Sequence, residues 1–163
     1  MKVAIGSDKS GFLLKEAVKE YLIQSNIPFD DLGTTDTAQA KGFFIVSPEV
    51  AQKVQNGEYD RAILVCGTGA GMSILANKYK GVQAVACESL YAAKMARAIN
   101  NAQILCMGGW IIAPEMGVKM AEAFLNTTWL EGVEEWRKEW LTKAADKVRE
   151  LEEDLFQPEG KMR

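Results

Sequence analysis

Apolar and polar positions along the chain alternate between two periods. Val3-Ala4-Ile5 is a short apolar, β-prone run closed by Gly6-Ser7-Asp8. Beyond it Leu13, Ala17 and Tyr21, with Leu14, Val18 and Leu22, recur at helical spacing and predict an amphipathic helix. Asn26-Ile27-Pro28 stops that helix, and Phe29 to Leu32 predicts a second short strand before Gly33-Thr34-Thr35. Asp36 to Lys41 reads as loop, and Pro48 to Val54 as a short helix ended by Asn56-Gly57. Ala62-Ile63-Leu64-Val65-Cys66 is continuously apolar, the pattern of a strand covered on both faces in a parallel sheet. Val82 to Cys87 predicts another strand, ahead of an Ala-rich helix from about Ser89 to Ile99. Gln103 to Met107 predicts a further strand before Gly108-Gly109, and Pro114 suits the first turn of a helix running to about Leu125.

This alternation, about five strands each followed by a helix, predicts an α/β fold: a parallel sheet wrapped on both faces by right-handed crossovers. Ligands of such folds bind at the carboxyl ends of the strands near a topological switch point. Asp8, Cys66, Glu88 and Gly108 all fall at predicted strand ends. From Glu131 to about Leu155 the period changes to one long amphipathic helix, with Val133, Trp136, Trp140, Ala144, Val148, Leu151 and Leu155 as its apolar stripe. Two placements are open for that stripe: against the chain's own sheet, or against a second subunit, which the tryptophans suit because aromatics are enriched at interface cores. The division expected is a main domain over 1–128 and a dimer-contacting extension over 129–163, with Gln157 to Arg163 frayed.

Composition narrows the chemistry. The chain has 163 residues, 48% hydrophobic and 25% charged, enough apolar content for a core without staples. A net charge of −3 carries no basic excess and argues against nucleic acid or an anionic membrane as partner. There is no histidine, which removes Ser-His-Asp triads, Cys-His pairs and imidazole zinc sites. Acid–base work must fall to Cys, Asp, Glu, Lys, Tyr or water. Cys66, Cys87 and Cys106 form no CxxC pair, and their odd number points to a reducing compartment. The N-terminus does not read as a signal peptide, and charges interrupt the longest apolar stretch, so a cytoplasmic location is expected.

Cys66-Gly67-Thr68-Gly69-Ala70-Gly71-Met72-Ser73 follows the most buried predicted strand and opens a predicted helix running through Lys78. Alternating glycines let the backbone turn tightly and point several N–H groups into one concavity, a nest for negative charge. The same donors favour thiolate over thiol, so a cysteine placed there is a candidate base. Cys87 and Cys106 lack such a loop and read as small buried hydrophobes. Two rival motifs fail in part. Gly67, Gly69 and Gly71 give GxGxG, with Met72 where a dinucleotide fingerprint needs its third glycine, although Glu88 stands where the ribose-binding acid would. Gly6 and Gly11 have Walker spacing, but Phe12 and Leu13 occupy the Lys and Ser/Thr positions.

Three blocks resemble a known family: Gly6-Ser7-Asp8-Lys9-Ser10-Gly11-Phe12 with Leu14-Lys15-Glu16, the Cys66 to Ser73 loop with Ala76-Asn77-Lys78, and Gly108. They are similar, over roughly Met1 to Leu125, to the type B ribose-5-phosphate isomerases and galactose-6-phosphate isomerases. The resemblance implies a Rossmann-like three-layer αβα sandwich with a five-stranded parallel sheet, a homodimer or homotetramer with sites shared between subunits, and aldose–ketose isomerisation without metal or cofactor. It implies that Cys66 is the base moving a proton between C1 and C2, and that backbone N–H groups from Gly67, Gly69, Ala70 and Gly71 hold the enediolate oxygens. Thr68 would hydrogen-bond those oxygens. Asp8 would bind substrate hydroxyls, Ser73 and Lys9 would complete the substrate contacts, and Asn100 would sit at the site edge. A carbonyl's α-proton is too weakly acidic for a base alone, so preorganised donors must meet the developing charge.

The departures carry information too. The histidine that opens sugar rings in the family, immediately before the asparagine, is here Ile99, and a phosphate-binding histidine is replaced by Lys9. The family's Asp-Tyr-Pro element gives way to Gly42-Phe43-Phe44, and the arginines reaching a partner's phosphate site fall in a stretch reading Glu134-Glu135-Trp136-Arg137-Lys138. Lys9, Arg97, Arg137 and Lys138 remain candidate anion contacts. These changes predict a substrate that is already open-chain, or whose anion is a carboxylate or sits elsewhere: an open-chain sugar phosphate or sugar acid. Two alternatives stand beside the isomerase: a catalytically silent or heteromeric sugar-binding subunit, and a nucleotide-binding module.

Overall fold

A computed structural model of the protein describes residues 1–156, and the segment Gln157 to Arg163, expected to fray, lies outside the described residues. One parallel sheet contains β1 (Val3–Ser7), β2 (Phe29–Asp31), β3 (Arg61–Cys66), β4 (Ala84–Ala86) and β5 (Ile104–Gly108), in the order β2-β1-β3-β5-β4. Between and after the strands run α1 (Phe12–Gln24), α2 (Phe43–Gln55), α3 (Ala70–Ala76), α4 (Leu90–Ala98), α5 (Pro114–Asn126) and α6 (Glu135–Leu155).

The continuous apolar run of β3 is explained by its two neighbours in depth. Ile63 and Val65 point with Val3, Ile5, Leu105 and Met107 into a layer with Leu14, Val18, Met120 and Phe124 of α1 and α5, and with Ala93 and Ala96 of α4. Ala62, Leu64 and Cys66 point with Ala4, Ile104 and Cys106 the other way, into Val46, Val50, Met72 and Ala76 of α2 and α3. Alternate side chains thus serve opposite cores, and each fully buried Ile, Leu or Val contributes roughly 1.5–3 kcal/mol.

One charged cluster interrupts the α1 layer. Lys15 is 1% exposed, pairs with Glu16 at 2.7 Å and also bonds Asp31 at the end of β2. Asp31 in turn accepts the Gly33 N–H at 3.1 Å. The cluster therefore ties the first turn of α1 to the loop leaving β2.

Three expectations need correction, and one placement left open by the sequence is narrowed. α2 begins at Phe43 and carries Pro48 inside it, because Val46, Ser47, Val50, Ala51 and Val54 share one buried face and that burial outweighs the proline's preference for a first turn. α3 stops at Ala76, short of Lys78, where the Asn77 side chain leaves the helix to bond both the carbonyl and the N–H of Ala84, each at 2.8 Å. α6 starts at Glu135 because Leu130 and Gly132 ahead of it have φ of 65° and 68°. Its stripe does not cover the chain's own sheet: Trp136 and Trp140 are 74% and 63% exposed, and the one buried residue of α6 is Leu141, which lies outside the predicted stripe. Trp140, Ala144 and Val148 line a groove with Gln83 to Val85 at the β4 edge, and polar contacts add to the attachment, Glu152 accepting the Gly81 N–H at 2.7 Å and Glu153 pairing with Lys80 at 2.6 Å. Among the described residues no helix is long and apolar enough to cross a membrane.

Candidate active site

β1 pairs with β2 on one side and β3 on the other, so the chain changes direction across the sheet between β1 and β3. The carboxyl ends of those two strands carry Asp8 and Cys66, and the Asp8 N–H donates to the Val65 carbonyl at 3.2 Å. α1 has no side-chain cap at Gly11; Asp8 Oδ1 instead accepts the Gly11 N–H at 3.0 Å and shapes the turn.

Cys66 is 6% exposed, with one side packed in the α2–α3 layer. Its Sγ accepts the Gly69 N–H at 3.1 Å. That bond needs the chain to fold back within three residues, and Gly69 does so at φ 79°, a left-handed conformation that costs other residues energy. A Cβ on Gly69 would also come within 3.0 Å of the Met107 carbonyl carbon. The next N–H, of Ala70, is donated to Thr68 Oγ1 at 3.4 Å, and Thr68 itself is exposed.

A third loop closes the group. The N–H groups of Gly109 and Trp110, just past β5, donate to the carbonyls of Cys66 and Gly67 at 2.8 and 3.0 Å. Gly109 lies so close to the loop after β1 that a Cβ there would stand 2.6 Å from the Ser10 carbonyl oxygen. Loops after β1, β3 and β5 are thereby held together at one end of the sheet, around the Cys66 and Gly67 backbone. Burial alone pushes Cys87 up to about 11, and burial, with the Cys66 and Cys87 sulfurs nearby, raises Cys106 well above the ordinary thiol range. All three cysteines are free.

Asp8, Cys66, Gly67, Thr68, Gly69, Ala70 and Gly71 are thus contiguous, with Lys9 exposed beside them. Ser73 is not turned toward them: its hydroxyl donates to the Ala84 carbonyl on β4 at 3.0 Å. Asn100 is farther still. α4 leads back to the amino end of the sheet, where Ile99 and Asn100 line a groove with Gln83, Ala84, Trp140 and Leu141. Arg137 and Lys138 stand in the first turn of α6, one turn ahead of Trp140 and Leu141, and Lys138 pairs with Glu135 at 3.0 Å. Within one chain, then, Asn100, Arg137 and Lys138 do not meet Cys66. Arg97 is buried, donates to the Ala102 carbonyl at 2.7 Å, and presents no charge to the loop. Glu88 follows β4, and β5 separates β4 from β3.

Two aromatic neighbours of the loop were not reached from sequence. The Trp110 ring lies against Gly67 and the Phe43 ring against Gly71. Neither belongs to a periodic pattern; the signal available is that each follows a glycine, Gly109 or Gly42, at the start of a turn.

Known proteins resemble this chain in sequence and fold. The chain is 57% identical over 156 residues to a 4-deoxy-4-sulfo-D-erythrose isomerase of Clostridium sp. (strain MSTE9), covering 96% of this chain and 98% of that protein. It is 38% identical over 132 residues to a ribose-5-P isomerase B of Listeria innocua, covering 81% and 88% of the two chains. The solved ribose-5-phosphate isomerase B of Mycoplasma genitalium with bound ribulose-5-phosphate superimposes with a TM-score of 0.83 at 30% identity, over 94% of this chain and 97% of that one. The profile of the Ribose/Galactose Isomerase family matches residues 3–141, and with the shared fold and isomerase relatives it establishes that this chain belongs to that family of sugar-phosphate isomerases.

Proposed function

We propose that the protein interconverts a four-carbon aldose and its ketose through a cis-enediolate, the substrate being open-chain and carrying a fixed anion, foremost a sulfonate, on C4. The observation that carries the reaction is the Cys66 sulfur held at 3.1 Å under the Gly69 N–H, at the point where three loops converge. Cys66 as thiolate takes the proton from C2 of the aldose, and the electron pair of that bond moves through C1 to O1. Protonation of C1 by the same sulfur, with net transfer of the hydroxyl proton from O2 to O1, leaves the ketone at C2. Backbone N–H groups between Gly67 and Gly71, other than that of Gly69, which stays on the sulfur, hold the oxygens with the Thr68 hydroxyl as charge develops, the Ala70 N–H turning from Thr68 Oγ1 to do so; one lost donor of this kind costs about 3–4 kcal/mol, ~10²–10³ in rate. Asp8 binds substrate hydroxyls. Base and charge stabilisation come from protein groups alone, and no metal or cofactor is invoked.

The substrate class follows from Ile99. A sugar that exists as a ring must be opened by a proton-transferring group, and isoleucine transfers none. An aldose with an anionic carbon substituent and no free hydroxyl on C4 cannot close a five-membered hemiacetal, so it needs no such group. A relative at 57% identity is named for a substrate of this kind.

The site is completed by a second copy of the chain, whose Asn100, Arg137 and Lys138 approach the Cys66 loop, and the extension expected over 129–163 makes the contact through its described residues, 129–156. The exposed Trp136, Trp140, Val148, Leu151 and Leu155 of α6 supply its apolar face. Three free thiols suit a reducing cytoplasm.

The test follows carbon–hydrogen exchange by NMR in D₂O with 4-deoxy-4-sulfo-D-erythrose, D-erythrose 4-phosphate and D-ribose 5-phosphate. Exchange is expected with the four-carbon compounds and is lost in Cys66→Ala. Full activity in that variant would remove Cys66 as base, and turnover of ribose 5-phosphate alone would remove the open-chain substrate.

A further inference from the structure

We infer that the indole of Trp110 is the specificity-determining wall of the site, which with Phe43 opposite narrows the loop to a short open carbon chain and rejects longer sugars. The inference deepens the isomerase function proposed above and rests on it.

Trp110 is fixed at its root and open at its tip. Its N–H donates to the Gly67 carbonyl at 3.0 Å, one residue past Cys66, while the residue as a whole is 74% exposed. The six-membered edge of the indole covers Gly67: a Cβ there would stand 2.7 Å from both Cε3 and Cζ3. On the other flank of the loop, a Cβ on Gly71 would stand 2.9 Å from Cδ2 and Cε2 of Phe43. Phe43 is itself braced edge-on by Phe44, ring centres 5.6 Å apart. The first and third glycines of the N–H cradle are therefore each roofed by an aromatic ring, and neither glycine tolerates a side chain of its own without moving that ring.

Nothing in the sheet or helices requires an aromatic at either place, since both rings stand outside the two core layers. A large exposed indole beside backbone donors suits a ligand that passes between them, its C–H face on the ring and its oxygens on the N–H groups. Rigid walls discriminate by size, and one added carbon in a closely lined pocket typically changes kcat/KM by about 10–200-fold.

The measurement compares kcat/KM for 4-deoxy-4-sulfo-D-erythrose and 5-deoxy-5-sulfo-D-ribose in wild type, Trp110→Ala and Trp110→Phe, with thermal midpoint and sedimentation recorded for each. The anion is the same in both substrates, and the open-chain fraction of the five-carbon sugar does not depend on the enzyme, so it cancels between variants. Trp110→Ala is expected to shift the four-to-five-carbon ratio by about 10-fold or more toward the longer sugar, at unchanged subunit assembly. Trp110→Phe, which keeps a ring, is expected to retain most of the discrimination. An unchanged ratio in Trp110→Ala overturns the inference while leaving the isomerase standing. A shift seen only together with subunit dissociation also overturns it. A wild type that exchanges neither substrate overturns the function itself and this wall with it.

Discussion

The two ends of the sheet are built on opposite principles. At the carboxyl end the contacts that shape the site are donated by backbone N–H groups: Gly69 to the Cys66 sulfur, Ala70 to the Thr68 hydroxyl, Gly109 and Trp110 to the carbonyls of Cys66 and Gly67. At the amino edge the site-like residues Asn100, Arg137 and Lys138 are side chains on helix ends, beside an α6 whose tryptophans face outward. One end holds a cradle of backbone donors roofed by two aromatic rings; the other holds polar side chains that lack a cradle. A two-fold assembly that lays the second end of one copy on the first end of another would satisfy both.

The largest effect expected tests that complementarity. Cys66→Ala is expected to lose about 10³-fold or more of activity and Asn100→Ala about 10²-fold. Mixing the two inactive proteins and allowing subunits to exchange should restore about a quarter of wild-type activity, because half of the dimers are mixed and each holds one intact site. No recovery, with mixed dimers verified by mass spectrometry, would show that both residues serve within one chain.

Next in size is the anchor of the carboxyl end. Asp31→Ala leaves Lys15 charged and buried, and urea unfolding is expected to show a loss of about 3–5 kcal/mol. A smaller change would mean that Glu16 suffices to hold Lys15. Between the ends, a pair of glycine substitutions separates cradle geometry from mere turn preference. Gly69 and Gly57 have similar φ, 79° and 75°, but a Cβ on Gly57 meets nothing within 4 Å. Gly69→Ala is expected to cost about 1–3 kcal/mol and most of the activity, and Gly57→Ala only about 1–2 kcal/mol with activity retained. Equal losses in both would show that Met107 yields.

The smallest effect concerns pH. Burial, and then the hydrogen bond to Asp30 at 2.8 Å, push the Tyr59 phenol up to about 12. An unfolded tyrosine titrates near about 10, so the folded state favours the protonated phenol. The resulting stability is complete below about pH 10 and is lost as pH rises toward 12. Tyr59→Phe is expected to lower stability at neutral pH by about 1 kcal/mol and to flatten the thermal midpoint across that alkaline window. A variant as alkali-sensitive as wild type would assign the effect to another group.

Legibility from sequence was uneven for physical reasons. The order of strands and helices was readable because β3 is covered on both faces and α1, α4 and α5 each bury a single stripe. Sequence alone shortens α2, because Pro48 is a local signal, whereas the burial of Val46, Val50 and Val54 depends on a sheet formed by distant strands. The Cys66 loop was readable because a glycine spaced by two imposes its own backbone. Ser73 stands in the same motif, but its hydroxyl is drawn to the Ala84 carbonyl by where β4 ends. Phe43 and Trp110 stayed hidden because ring placement over Gly71 and Gly67 depends on loops far apart in the chain.

Local features are therefore written in the chain: which runs form strands or helices, where the backbone turns back on a thiol, and that no imidazole is present to open a sugar ring. Tertiary structure alone decided which loops meet at that thiol, that two aromatic rings roof its cradle, and that Asn100 and the α6 tryptophans face away from it. The reason is range: turns and periods are enforced by covalent geometry over a few residues, whereas convergence at a sheet end is enforced by strand order, which no short window of the chain contains.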